Sequence, residues 1–188
     1  IFVHKSAPVQ ASWLAQGSTG ITEIDYFIGS RYITPINEEK NFVEKVLRLP
    51  EISQCFTPPD FDVKINNLPA KKNNFITFGS LNKLTKVNEA VITLWSKILS
   101  SIPNSKLLLK SWELNNQKIN EETLKKFKKC NINKERLILR GKSKTRRELL
   151  EVYNEIDICL DPFPFQGNTG TCEAVWMGVP VITLKGDR

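Results

Sequence analysis

The sequence predicts an α/β protein built on a parallel, doubly wound sheet, and three observations carry that reading. From residue 75 onward, short apolar runs of strand length recur at Phe75–Phe78, Leu107–Leu109, Leu137–Leu139, Ile158–Leu160 and Val179–Leu184. The runs are apolar without alternation, as in strands covered on both faces. Between them lie stretches with apolar residues at helical spacing, and strand–helix alternation of this kind marks parallel βαβ units.

Composition sets the frame. A chain of 188 residues holds one domain with a real core and part of another. Its 40% apolar and 25% charged residues are ordinary for a folded protein. No apolar run reaches membrane-spanning length, and Ile1–Lys5 is no signal peptide. The net charge of +7 comes largely from polar-face residues such as Lys125, Lys126, Lys128, Lys129, Lys142, Lys144 and Arg147. No nucleic-acid motif accompanies it, so neither a nucleic-acid nor a membrane partner is expected. Cys55, Cys130, Cys159 and Cys172 lack metal-ligand spacing. They point to a reduced, cytoplasmic setting and no metal.

In chain order, Val9–Leu14 and Tyr26–Ile28 read as strands, with a loop at Gly17–Gly20, and Phe42–Leu49 as a helix running into a short strand. Residues 1–56 cannot close a core alone and are expected to expose apolar surface. Residues 57–74, with Pro58, Pro59, Pro69 and Lys71–Asn74, read as a linker. Asp60 and Asp62 have the Asp-x-Asp spacing of some metal-dependent transferases, but two aspartates after a proline pair are discounted. The lone His4 is read as incidental, and no nucleophile–histidine set can be assembled.

Residues 75–188 form the regular part. After Asn88, the stripe Val91, Leu94, Trp95, Ile98, Leu99 and Ile102 predicts a helix ended by Pro103-Asn104. A second helix spans about Glu121–Lys129 on Leu124 and Phe127. Thr145 and Glu148 have capping-box spacing for a third, whose inner face is Leu149, Val152, Tyr153 and Ile156. A fourth starts near Thr169–Thr171 and stops at Gly178, a residue suited to the left-handed position past a helix end. Pro162 and Pro164 end the preceding strand. Five strands alternating with four helices bring the loops of Lys86, Lys110, Ser143 and Thr169 to one crevice.

The loop before the fourth helix carries the functional signal. Gly167 and Gly170 permit sharp turns, and Asn168 to Thr171 set free N–H groups and hydroxyls at a helix N-terminus, which attracts phosphate. Glu173 stands where a carboxylate accepts from sugar hydroxyls. The competing reading is a tight βα connection in which Glu173 only favours the dipole. Lys86, between the first strand and its helix, reads either as a diphosphate-binding charge or as a solvated loop lysine.

Asp157–Leu184, through its Asp-Pro-Phe-Pro-Phe, Gly-Asn-Thr-Gly-Thr-Cys-Glu-Ala and Trp-Met-Gly-Val-Pro-Val pieces, closely resembles the C-terminal catalytic region of the O-linked N-acetylglucosamine transferase and SPINDLY proteins, glycosyltransferase family 41. Phe78–Lys86, Leu94-Trp95 and Ile102–Leu109 resemble the start of that region, and Ala7–Leu14 with Asp25-Tyr26 the end of the preceding half. The resemblance implies a fragment of a two-lobed glycosyltransferase-B enzyme. Residues 1–56 would be the end of its N-terminal lobe and 75–188 a Rossmann-like donor lobe truncated at its C-terminus. It implies inverting, metal-independent transfer from a UDP-sugar, UDP-N-acetylglucosamine or a relative, to Ser/Thr of acceptor proteins, with no cofactor and with the fragment alone inactive. By position, Lys86 matches the catalytic lysine at the donor diphosphate. Asn168, Thr169, Gly170 and Thr171 match the diphosphate loop, and Glu173 the ribose-binding acid. Asn82 and Lys83 fall on the donor loop, and Ser143 and Arg146 on the segment bordering the base. Leu149 stands where the family usually has a base-stacking histidine, and Ala15–Gly20 shortens its glycine-rich loop. A sugar-nucleotide epimerase on the same lobe and a basic nucleic-acid-binding module are the alternatives.

Overall fold

The computed structural model describes residues 1–14 and 17–186. Contacts divide the chain into two compact units, residues up to Thr57 and residues from Pro58 onward. In the first, β1 (Ala11–Trp13), β2 (Tyr26–Ser30) and β3 (Lys45–Leu49) form a parallel sheet in the order β1-β2-β3. Phe27 is buried against Phe42, their rings 4.8 Å apart. The helix expected within Phe42–Leu49 is absent among the described residues. Ile36–Asn41 forms a 3-10 turn instead, and β3 begins at Lys45. The deciding pattern is period two, with Val46 buried between exposed Lys45 and Leu47. Glu44 is held inward by Ser18 Oγ at 2.7 Å and by the Thr19 N–H at 2.7 Å. Burial raises its carboxyl, but these donors outweigh burial and hold it below the usual value. Of the shortened loop Ala15–Gly20, Ala15 and Gln16 lie outside the described residues. The expected apolar exposure is present at Phe2, Val9, Ile33, Ile36 and Ile52.

The second unit carries the α/β sheet. Its strands are β4 (Thr77–Ser80), β5 (Lys106–Lys110), β6 (Leu137–Arg140), β7 (Ile158–Leu160) and β8 (Val181–Ile182). Among the described residues all neighbours pair in parallel, in the order β6-β5-β4-β7-β8. The apolar runs lack alternation because both faces are covered. Leu107 and Leu109 enter one core with Phe78, Trp95, Leu99 and Phe127. Leu108 enters the other with Leu150, Tyr153, Ile156, Cys159 and Ala174. Full burial of side chains such as Trp95 and Phe127 stabilises the unit by roughly 2–3 kcal/mol each.

Helices follow their caps. In α2 (Glu89–Ser101), Asn88 Oδ1 accepts from the Val91 N–H at 3.0 Å. Helix α3 (Gln117–Lys129) starts a turn before the expected Glu121 because Asn116 caps it, accepting from the Lys118 N–H. In α4 (Arg146–Glu151), Thr145 Oγ1 accepts from the Glu148 N–H at 3.1 Å, and Glu148 reaches back to the Lys144 N–H. Helix α5 (Thr169–Trp176) ends before Gly178, whose φ of 74° is the left-handed conformation expected there.

The stretch read as a linker, 57–74, is instead strapped along this unit from Pro58 onward. Phe61 and Val63 pack on the second core, and the Arg147 guanidinium lies 4.5 Å from the Phe61 ring centroid. Asn154 donates to the Lys64 carbonyl and accepts from the Asn66 N–H. A short helix α1 (Pro69–Asn73) follows. Buried Asp157 then accepts from the Ala70 and Thr77 N–H groups, both at 2.8 Å, joining strap, β4 and the approach to β7. Proline-rich composition signalled an irregular backbone, not a detached one. Replacing Asp157 with alanine should lower stability by roughly 2 kcal/mol or more, since two N–H donors lose their acceptor. Urea unfolding unchanged from wild type would contradict this role.

Candidate functional site

Strand order reverses between β4 and β7, since β5 and β6 extend one way from β4 and β8 lies beyond β7. The segments leaving these two strands therefore emerge side by side, which opens a crevice at the C-terminal strand ends. Side chains tie the segments together. Lys86 Nζ donates to the Gln166 carbonyl at 2.8 Å and lies 4.5 Å from the Phe165 ring centroid. Asn88 Nδ2 donates to the Phe163 carbonyl at 2.8 Å. Gly167 marks the closest approach. A Cβ there would stand 2.8 Å from both Asp161 Oδ1 and Thr171 Oγ1, and 3.4 Å from Asn82 Oδ1, so a larger residue would have to displace those side chains.

Helix α5 opens on this crevice. Asn168 stands at its N-cap without a side-chain capping bond, and the Thr171 and Cys172 N–H groups bond back to the Asn168 carbonyl. The Thr169 and Gly170 N–H groups precede those bonds in the first turn, where a helix leaves donors for a ligand. Tyr153 Oη donates to the Gly170 carbonyl at 3.0 Å and seats the turn. Ser80, Asn82, Asp161, Gly170 and Thr171 share one cleft.

Electrostatics follow from burial. Glu173 is 9% exposed and burial raises its carboxyl, which Arg146, with Nε 3.9 Å from Oε1, partly offsets. Burial also lowers the Lys86 ammonium, while Asp161 acts to raise it and Lys83 to lower it. The cleft gathers Asn82, Asp161, Gly170 and Thr171, with Lys86 bonded to the Gln166 carbonyl on the segment that feeds its helix, Asn168 and Thr169 exposed on that helix and Arg146 beside Glu173. Lys83 is exposed at the start of the turn that carries Lys86.

The single crevice expected for four loops divides in two. Lys110 and Ser143 line a separate hollow with Arg140 and Glu148. The strand order explains this, because β5 and β6 end to one side of the reversal. Lys110 turns away from the reversal and donates to the Gly141 carbonyl at 2.5 Å. Leu149 is half-buried on α4. Asp161, Tyr153 and Asn88 were missed as site residues. Only Asn88 had a local signal, as a cap before a helical stripe.

The glycosyl transferase family 41 model matches residues 62–188. The chain belongs to glycosyl transferase family 41. It is 34% identical over 97% of its length to a probable UDP-N-acetylglucosamine–peptide N-acetylglucosaminyltransferase SPINDLY of Solanum lycopersicum, and covers 20% of that protein. It is 28% identical, over 100% of the chain and 20% of the relative, to the probable enzyme SEC of Arabidopsis thaliana with the same activity in its name. A mutant Thermobaculum terrenum O-GlcNAc transferase superposes with a TM-score of 0.88 and 33% identity, covering 99% of this chain and 35% of that one. This match identifies the α/β unit as the C-terminal lobe type of a glycosyltransferase-B fold. The family match lends no support to the epimerase or nucleic-acid alternatives.

A carboxyl raised by burial favours the folded state below its ordinary pKa of 4.5, and that contribution is lost as pH rises through the raised value. Glu173→Gln should therefore gain stability over wild type at neutral pH and lose that advantage below the ordinary pKa. Urea unfolding at two pH values, with a difference independent of pH, would contradict the burial account.

Proposed function

We propose that this chain carries the nucleotide-sugar site of a UDP-sugar-dependent protein glycosyltransferase that transfers N-acetylglucosamine to Ser/Thr side chains by inversion and without a metal. The chain spans 20% of the length of the SPINDLY relative named above. The observation that carries the proposal is the bond from Lys86 across the strand-order reversal to the segment feeding α5. It brings one ammonium and the N-terminus of a helix to the same place.

Glycosyl transfer breaks the bond between the anomeric carbon and the diphosphate while an acceptor hydroxyl attacks from the opposite face. Negative charge grows on the departing UDP. In this reading the Lys86 ammonium and the first-turn N–H groups of α5 stabilise that charge, with the Thr169 and Thr171 hydroxyls as further donors. Glu173 accepts from the ribose hydroxyls, ionised with help from Arg146. Asn82 and Lys83 border the donor, and Arg146, beside Glu173, borders the segment near the base, whereas Ser143 lines the separate hollow. The four free cysteines support a reducing, cytoplasmic setting. Among the described residues no helix is long and apolar enough to cross a membrane.

Calorimetric titration of the complete protein should show UDP binding tighter than ADP and inorganic phosphate. Equal affinity for UDP and ADP would sink the uridine reading. Lys86→Ala should weaken UDP binding and lower kcat/KM by roughly 10²- to 10³-fold, the cost of losing one preorganised charge-stabilising group. Turnover unchanged by that substitution would remove Lys86 from the mechanism.

A further inference from the structure

We propose that Asp161 is a positioning residue for this reaction, shaping the 162–168 segment and supplying the counter-charge that holds Lys86 ready for the diphosphate. The inference rests on the donor-site reading above. A carboxylate beside a diphosphate site is repulsive, so its presence there needs a physical reason. Asp161 is 7% exposed, at the end of β7, and its backbone N–H donates to the Ile182 carbonyl at 2.9 Å. Pairing with β8 thus fixes where the side chain starts.

Both carboxylate oxygens are already engaged. Oδ1 accepts from the Gly167 N–H at 2.6 Å, and Oδ2 accepts from Thr183 Oγ1 at 3.0 Å. Asp161 therefore joins three pieces of backbone: the end of β7, the residue after β8 and the turn entering α5. The same turn offers the Gln166 carbonyl to Lys86, so the bond to Gly167 places the acceptor that aims the lysine. Each oxygen thus has a protein donor already, and as a carboxylate Asp161 has no donor to offer a diphosphate. What remains is its charge, and that charge bears on Lys86.

The charged groups acting on Lys86 are Asp161 from the β7 segment and Lys83 from its own turn. Asp161 favours the ammonium, whereas burial and Lys83 disfavour it. A diphosphate arriving at the crevice replaces the Gln166 carbonyl as the lysine's partner. Asp161 is then the group that favoured the ammonium and placed its acceptor while the site was empty. This separates its role from that of Thr171 or the helix N-terminus, which touch the ligand.

The test measures UDP affinity and kcat/KM of the complete protein from neutral to alkaline pH. Asp161→Asn retains an oxygen for the Gly167 N–H but removes the charge. It should move the alkaline limb of kcat/KM to lower pH. In a Lys86→Arg background, where the guanidinium does not titrate, the same substitution should leave the limb unmoved. A limb unmoved by Asp161→Asn in the lysine protein, or moved equally in both backgrounds, overturns the proposal. Asp161→Glu keeps the charge and displaces the hydrogen bonds. It should keep the wild-type limb with weaker UDP binding, and wild-type affinity in that variant overturns the positioning role even if Asp161→Asn does not fold. Failure of the wild-type protein to bind UDP sinks the donor reading, a result distinct from normal binding with an unshifted variant.

Discussion

The reversal of strand order between β4 and β7 is the constraint on which the rest of the α/β unit depends. A parallel sheet puts every strand-to-helix connection at one edge, and neighbours that part company leave a gap there. Here the gap receives the chain after Ser80 and the chain after Leu160. Because β4 is paired on both sides, its C-terminal end cannot shift without disturbing β5 and β7 together. Gly79 packs directly on the Ile156 side chain, where a Cβ would stand 2.3 Å from Cδ1.

Buried carboxylates on the 157–173 stretch organise the two ends of that constraint. Asp157 joins the strap before β4 to the start of β7, and Asp161 joins the end of β7 to the turn entering α5. Each sits beside backbone N–H donors that would otherwise lack partners, so neither is an isolated buried charge. Glu173 differs. Among the described residues its ion-pair partner is Arg146 at 3.9 Å, and burial raises its carboxyl more than Arg146 lowers it. Such a group suits an incoming ligand with hydroxyls, which is the role assigned to it.

Much of the fold was legible because local chemistry and tertiary demand agree. The stripe on α2, the Thr145 cap and Gly178 each encode their own element, and the structure honours all three. Disagreement arose where local pattern underdetermines the outcome. Phe42–Leu49 is apolar enough for a helix or a strand, and pairing of β3 with β2 decided for the strand. Residues 58–74 have linker composition, yet Phe61, Val63 and the Asp157 carboxylate hold them on the second core.

The candidate site divides along the same line. From the sequence alone came the glycine-rich approach to α5, the acidic Glu173 near its start, read into the first turn but standing one residue beyond it, and Lys86 ahead of α2, because each is a residue type close to a helix start. Those distances also carried the family resemblance. Tertiary structure alone decided that Lys86 reaches the Gln166 carbonyl eighty residues away in sequence, that Lys110 and Ser143 belong to a different hollow, and that Asp161 turns inward. The physical reason is that helix caps and strand runs are local, whereas which loops meet depends on strand order, and strand order is set by how both faces of the sheet are buried.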